Sequence, residues 1–293
     1  MPGSGQHRPR PRRVGRWLVP LLAAGIAVAG CSSGGTSSGS STPQTSAPQS
    51  TAGGSASGTN NAGSYCPELV VPAYFYSSSV WAQAYGSDPA PKDMILDVSG
   101  LGAGDAPDSH FTSLVSAARA KGVTVLGYIS TVDGQRPLSQ VEQEVRNYKA
   151  WYGVTSIFLD RVSGQQPQLS YYQQVASYIH GYNPGSSVWM NPGIYPDQAY
   201  MSIGDVVMVF EGTYAQYVSA QVPSWADAYP ASKFAQTIYD TPDSSLADAL
   251  KLAQSRKAGH VYITDASGDN PYDVLPSYWT KEASAASSSG CPG

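Results

Sequence analysis

The sequence predicts a single (β/α)8 barrel of the TIM type, preceded by an export signal and a disordered linker. Three observations predict it. Short apolar runs rich in Val, Ile, Tyr and Phe recur eight times between residues 69 and 263. Most of these runs are apolar on both faces, as strands buried in a parallel sheet are. Longer amphipathic stretches separate them, the alternation of a βα repeat near the small end of barrel size. A doubly wound open sheet is the competing arrangement. It is disfavoured because Tyr74-Phe75-Tyr76-Ser77-Ser78-Ser79 stands where that fold places a Gly-rich phosphate loop.

The expected strands are Leu69–Tyr76, Met94–Val98, Val123–Ile129, Ser156–Leu159, Ser187–Met190, Val206–Phe210, Phe234–Tyr239 and Val261–Ile263. Four helices are expected between them. Phe111, Leu114, Val115 and Ala118 share one face, with Gly122 as the stop. Ser139 and Glu142 read as a capping box with Leu138 as its staple, opening a helix that carries Val141, Val145 and Tyr148. Tyr172, Val175, Ala176 and Ile179 line a third helix, and Leu246, Leu250 and Ala253 a fourth. The segments after strands 1, 5 and 6 are expected to be irregular, and Asp240-Thr241-Pro242-Asp243 reads as a turn and helix cap.

Upstream of the barrel, residues 1–31 read as a lipoprotein signal peptide. Arg8, Arg10, Arg12, Arg13 and Arg16 precede an apolar run, Trp17 to Gly30, that is too short for a comfortable membrane span. Val28-Ala29-Gly30-Cys31 resembles a bacterial lipobox, in which Cys31 is lipidated; an ordinary cleaved signal is the alternative. Arg12-Arg13 hints at twin-arginine export. Residues 32–65 form the linker: 23 of the 33 residues from 32 to 64 are Ser, Gly or Thr, and none is charged. Such a segment has nothing to bury and behaves as a flexible tether. The expected location is therefore the outer face of the cell membrane, or secretion. The barrel domain takes residues 66–285 and a short tail 286–293. Cys66 and Cys291 bracket the domain and are expected to form a disulfide in that oxidising compartment, two free thiols being the alternative.

Charge excludes several functions. The five arginines of the signal account for part of the chain's 17 basic residues, leaving 12 against 21 acids, a net of −9. A nucleic-acid groove needs a basic face, so none is expected. Four scattered histidines and three distant cysteines lack the spacing of zinc or iron–sulfur sites. No cofactor and no metal are implied, and the barrel is expected to be monomeric.

Active sites of such barrels lie at the C-terminal strand ends. Those ends carry Tyr74, Tyr76, Asp97, Tyr128, Asp160-Arg161, Asn191, Glu211, Tyr239-Asp240 and Asp265. Carboxylates interleaved with aromatics suit glycoside chemistry, in which two carboxyl groups flank the scissile bond. Asp160 and Glu211 are the candidate catalytic pair, since each closes a very apolar strand. Tyr74, Tyr76, Asp97, Tyr128, Arg161, Asn191, Tyr239 and Asp265 are candidate substrate contacts. A structural ion pair or a helix cap is the alternative for any single carboxylate.

Six segments then appear in order: Val71-Pro72-Ala73-Tyr74-Phe75-Tyr76, Val125-Leu126-Gly127-Tyr128, Trp151-Tyr152-Gly153-Val154, Ile157-Phe158-Leu159-Asp160, Met190-Asn191-Pro192-Gly193 and Val209-Phe210-Glu211-Gly212-Thr213-Tyr214. Together they resemble the spherulation-specific family 4, or spherulin-4-like, proteins. The resemblance implies a barrel glycoside hydrolase similar to fungal galactosaminogalactan hydrolases and endo-α-1,4-polygalactosaminidases. It also implies that the acids ending strands 4 and 6, here Asp160 and Glu211, are catalytic. The family usually has Asp-Glu at strand 4, where this chain has Asp160-Arg161. If Arg161 points into the cleft, it should lower the pKa of nearby acids or recognise an anionic sugar.

The leading expectation is thus an extracellular hydrolase of an amino-sugar-containing polysaccharide, touching the membrane only through its lipid. A catalytically weak carbohydrate-binding lipoprotein is the alternative that Arg161 supports. A purely structural envelope lipoprotein is a third, weakened by the aromatic and carboxylate lining of one barrel face.

Overall fold

The computed structural model describes residues 65–286. The signal, the lipobox with Cys31, nearly all of the linker and the tail with Cys291 lie outside the described residues. Cys66 lies within them and is disulfide-bonded.

Eight parallel strands close into a barrel in chain order. They are β1 (Glu68–Ala73), β2 (Asp93–Leu96), β3 (Thr124–Ser130), β4 (Ser156–Asp160), β5 (Val188–Met190), β6 (Val206–Thr213), β7 (Phe234–Tyr239) and β8 (His260–Ile263). All eight fall on the expected apolar runs. Among the described residues, seven α-helices cover them: α1 (Ser78–Tyr85), α2 (Ser109–Arg119), α3 (Leu138–Tyr152), α4 (Leu169–Tyr182), α5 (Tyr214–Ser219), α6 (Leu246–Ser255) and α7 (Trp279–Ala285).

The apolar residues divide into layers by strand alternation. Val70, Ile95, Leu126, Tyr128, Phe158, Trp189, Val206, Met208 and Ala235 fill the barrel interior. Their strand neighbours, such as Val71, Val125, Ile157 and Leu159, pack outward with Phe111, Val145, Tyr172 and Leu250 of the helices. The interior residues set the phase of the site. Tyr74 packs against the interior cluster, and Asp160 and Asn191 lie two residues beyond the interior Phe158 and Trp189.

Two expectations are corrected. The capping box at Ser139 does not form, because α3 begins at Leu138, two residues before the start that a Ser139 cap requires. Pro137 stands at its cap with extended backbone, and both Ser139 and Glu142 fall inside the first turns. A real capping box occurs instead at α5, where Thr213 and Gln216 bond reciprocally. The segment after β1 is a regular helix, anchored by the buried Trp81, whose indole donates to the Phe75 carbonyl at 3.0 Å. The segments after β5 and β6 are irregular as expected: a 3-10 turn, Gln198–Ser202, follows β5, and the six residues of α5 and two 3-10 turns, Ser224–Ala228 and Ala231–Lys233, follow β6. Met201, Val207, Val209, Ala226 and Phe234 form a separate apolar cluster on that side.

Candidate active site

Strand β6 shows how the chain aims a carboxylate. Val206 and Met208 point into the barrel, so plain alternation would send Phe210 inward and Glu211 outward. The β6–β7 register shifts between Met208 and Phe210, leaving Phe210 opposite Gln236 and Glu211 opposite Thr237. This bulge exchanges the faces. Phe210 packs outward, its ring 4.7 Å from that of Tyr217, and Glu211 turns into the mouth.

Asn191 joins Glu211 to Asp160. Its Nδ2 donates to Asp160 Oδ1 at 2.9 Å and to Glu211 Oε2 at 2.7 Å. The two carboxylate oxygens therefore lie within the sum of those bonds, 5.6 Å, of each other. Its Oδ1 accepts the Gly193 N–H at 2.9 Å, which fixes the orientation of the amide. Gly193 has φ +68°, the left-handed region that suits glycine, and its carbonyl accepts the Glu211 N–H at 3.0 Å.

The remaining oxygens are held by phenols. Tyr128 donates to Asp160 Oδ2 at 2.6 Å, and Tyr272 donates to Glu211 Oε1 at 2.9 Å. Tyr74 sits between these phenols, edge-on to both at 5.6 Å. Burial pushes the Glu211 carboxyl up to about 7, and the negative charge of Asp160 adds to the rise. The donors Asn191 and Tyr272 pull the other way without reversing it. The lowering expected from a cation at Arg161 is not what Glu211 shows.

Arg161 instead makes an ion pair with Asp133 of the β3–α3 loop, Nη2 to Oδ2 at 2.6 Å. Its backbone is left-handed at φ +50°, as are those of Val132 and Asp133 at +51° and +58°. Cross-loop bonds over-determine this conformation. Asp133 N–H donates to the Arg161 carbonyl, and the Thr131 hydroxyl lies within bonding distance of the carbonyls of Asp160 and Arg161.

The other candidates are spread around the mouth. Asp97 accepts the Gly100 N–H at 2.7 Å in the loop after β2, and its charge acts on Tyr74. The Tyr239 hydroxyl is raised mainly by burial and feels the charge of Glu211, and its ring is 6.5 Å from that of Tyr272. Tyr76 stands apart from the carboxylates, exposed on the rim and stacked on His110. Asp265 bonds the N–H and hydroxyl of Ser277, closing the loop that carries Tyr272.

Gly212 serves close packing. A Cβ there would come within 2.9 Å of both the Phe210 ring and Gln216 Oε1. Tyr272 is the candidate site residue that strand-end reading passes over. It lies nine positions beyond the end of β8, in a Gly-, Asp- and Asn-containing loop, and only its aromatic type in a turn-rich segment marks it.

Residues 68–286 match the spherulation-specific family 4. The chain belongs to that family. Spherulin-4 of Physarum polycephalum is 29% identical over 231 residues, covering 74% of this chain and 69% of that protein. The crystal structure of Aspergillus clavatus Sph3 in complex with GalNAc is similar in fold, with a TM-score of 0.66 at 23% identity. That likeness covers 76% of this chain and 98% of Sph3.

Proposed function

We propose that this spherulin-4-family protein is a glycoside hydrolase acting on an amino-sugar-containing polysaccharide, with Glu211 as the proton donor and Asp160 as the nucleophile. The observation that carries the reading is the Asn191 bridge, which holds two carboxyl groups side by side at the end of an apolar barrel. The 5.6 Å ceiling on their bridged oxygens favours a retaining mechanism, with carboxyl groups about 5–5.5 Å apart, over inversion at roughly 6.5–9.5 Å.

The environments divide the roles. Glu211, raised to about 7, keeps its proton near neutrality, as a general acid must. Asp160 accepts from two donors, Tyr128 and Asn191, which aim its carboxyl group for attack. In the first step Asp160 attacks the anomeric carbon, the glycosidic C–O bond breaks, and the leaving oxygen takes the Glu211 proton. In the second, the Glu211 carboxylate takes a proton from water, the resulting hydroxide attacks the anomeric carbon, and Asp160 is released.

The family resemblance and the GalNAc bound to Sph3 support an N-acetylgalactosamine- or galactosamine-containing glycan. Export with lipidation at Cys31, and a Cys66–Cys291 bridge, complete the reading of an enzyme tethered outside the cell. Arg161, a cation where the family usually has a second strand-4 acid, favours a second reading as a carbohydrate-binding protein without turnover. The deciding assay is release of reducing ends from α-1,4-galactosamine-type polymer, with the product anomer followed by proton NMR. The hydrolase reading expects activity that Glu211→Gln lowers on the order of 10²–10⁴-fold with the fold intact. Binding without turnover selects the second reading, and activity indifferent to Glu211→Gln places the site on other carboxylates.

A further inference from the structure

The mouth of the barrel has a floor of tyrosines that leads away from the carboxylates. Tyr128 and Tyr272, the two phenols on Asp160 and Glu211, are buried, and both meet Tyr74 edge-on at 5.6 Å. Tyr74 follows β1, and β1 stands across the closed eight-strand barrel from β5, which supplies the Asn191 bridge. The floor therefore spans the mouth from the reacting groups to the β1 side. Tyr76 lies two residues further along, within about 7 Å of chain.

Unlike the floor, Tyr76 is exposed, at 57%. Its ring is nevertheless held in place. His110 stacks on it at 4.1 Å with the planes 22° apart, and Phe111 meets it edge-on at 5.5 Å. His110 Nε2 donates to the Tyr76 carbonyl at 2.6 Å, and the His110 backbone is itself fixed by the Asp108 cap of α2. A single exposed aromatic needs no explanation. One that is immobilised from below, at the edge of a candidate active site, is preorganised, because its freedom was lost on folding rather than on binding.

We propose that Tyr76, backed by His110, is an outlying sugar-binding subsite that grips the glycan on the β1 side of the mouth, away from the scissile bond. The inference rests on the glycan reading above and adds that the natural ligand is a polymer long enough to span both places. The ring takes the C–H face of a pyranose, a contact on the order of tenfold in affinity.

The test measures binding and turnover of α-1,4-linked galactosamine and N-acetylgalactosamine oligomers of graded length. It compares the full-length native protein, Tyr76→Ala and Tyr76→Trp. The expected result is a rise in affinity with length in the native protein that Tyr76→Ala loses by about tenfold for long oligomers only, and that Tyr76→Trp retains. Unchanged melting temperatures would show that the fold is not involved. Length-dependent binding lost in Tyr76→Ala without any turnover would uphold the subsite and remove the hydrolase reading. Turnover with long oligomers unaffected by Tyr76→Ala, or a loss equal at every length, would remove the subsite and leave that reading standing. A native protein that neither binds nor cleaves these oligomers would overturn both.

Discussion

The Tyr272 hydroxyl donates to Oε1 of Glu211 at 2.9 Å, joining residues 61 apart in sequence. Because the donor favours the carboxylate, it holds the Glu211 pKa lower than burial and Asp160 alone would set it. Tyr272→Phe removes that donor and leaves the edge-on ring contact with Tyr74 in place. The Glu211 pKa should rise further above about 7, so the alkaline limb of kcat/KM should move to higher pH. At its optimum the variant should be slower by roughly tenfold, the worth of a hydrogen bond to a charged group. An alkaline limb that stays in place would show that Glu211 does not set it.

Asn191 is the second point of leverage, since one amide serves both carboxyl groups. Asn191→Asp keeps the size and the acceptor for Gly193 N–H but withdraws both donated bonds and adds a negative charge. Asp160 and Glu211 would then each lose a donor. Activity should fall by roughly a hundredfold or more while the circular dichroism spectrum is retained. A variant within a few-fold of native would mean that the bridge is incidental to turnover.

The strands were legible because their residues are apolar on both faces, which only a buried parallel sheet requires. Asp160, Asn191 and Glu211 were legible because each ends such a run. Two features were not. The bulge before Glu211 cannot be read from Val207-Met208-Val209-Phe210, since every residue there is apolar and either phase looks buried. Tyr272 reaches the site through a loop whose closure depends on Asp265 meeting Ser277, a tertiary contact with no local signature. The misplaced cap at Ser139 has a similar cause. Pro137 already presets the entry into α3, and the helix starts where the proline lets it.

At the opposite end of the barrel, Asp93 offers a test of stability that is separate from the site. Burial and the neighbouring Glu68 raise its carboxyl to about 7, with Lys92 opposing. His260 faces it, Nδ1 to Oδ2 at 3.7 Å, and burial lowers that imidazole. A carboxyl raised in the folded state favours folding fully below its unfolded value of 3.8, and that contribution is lost as pH rises through about 7. Asp93→Asn should therefore raise the melting temperature at pH 8.5, by roughly 5 °C, and leave it nearly unchanged at pH 4. An equal shift at both pH values would sink the titration argument.

Arg161 and Asp133 set the charge at the rim beside Asp160. The two side chains are 49% and 30% exposed, so their ion pair should contribute no more than about 1 kcal/mol to stability. Its larger effect should be on which polymer approaches. Asp133 neutralises only part of the field of a half-exposed guanidinium, which repels a protonated amino sugar and tolerates an N-acetylated one. Arg161→Gln should raise kcat/KM on deacetylated, cationic polymer relative to the acetylated form. Arg161→Glu, which reverses the charge, should raise it more. Both gains should shrink as salt screens the exposed charges over a Debye length of about 8 Å at physiological ionic strength. The measurement is the ratio of the two polymers' kcat/KM values at low and high salt for the three proteins. A ratio that ignores both substitutions would mean that Arg161 is committed to holding the strained Val132–Asp133 turn and does not meet the glycan.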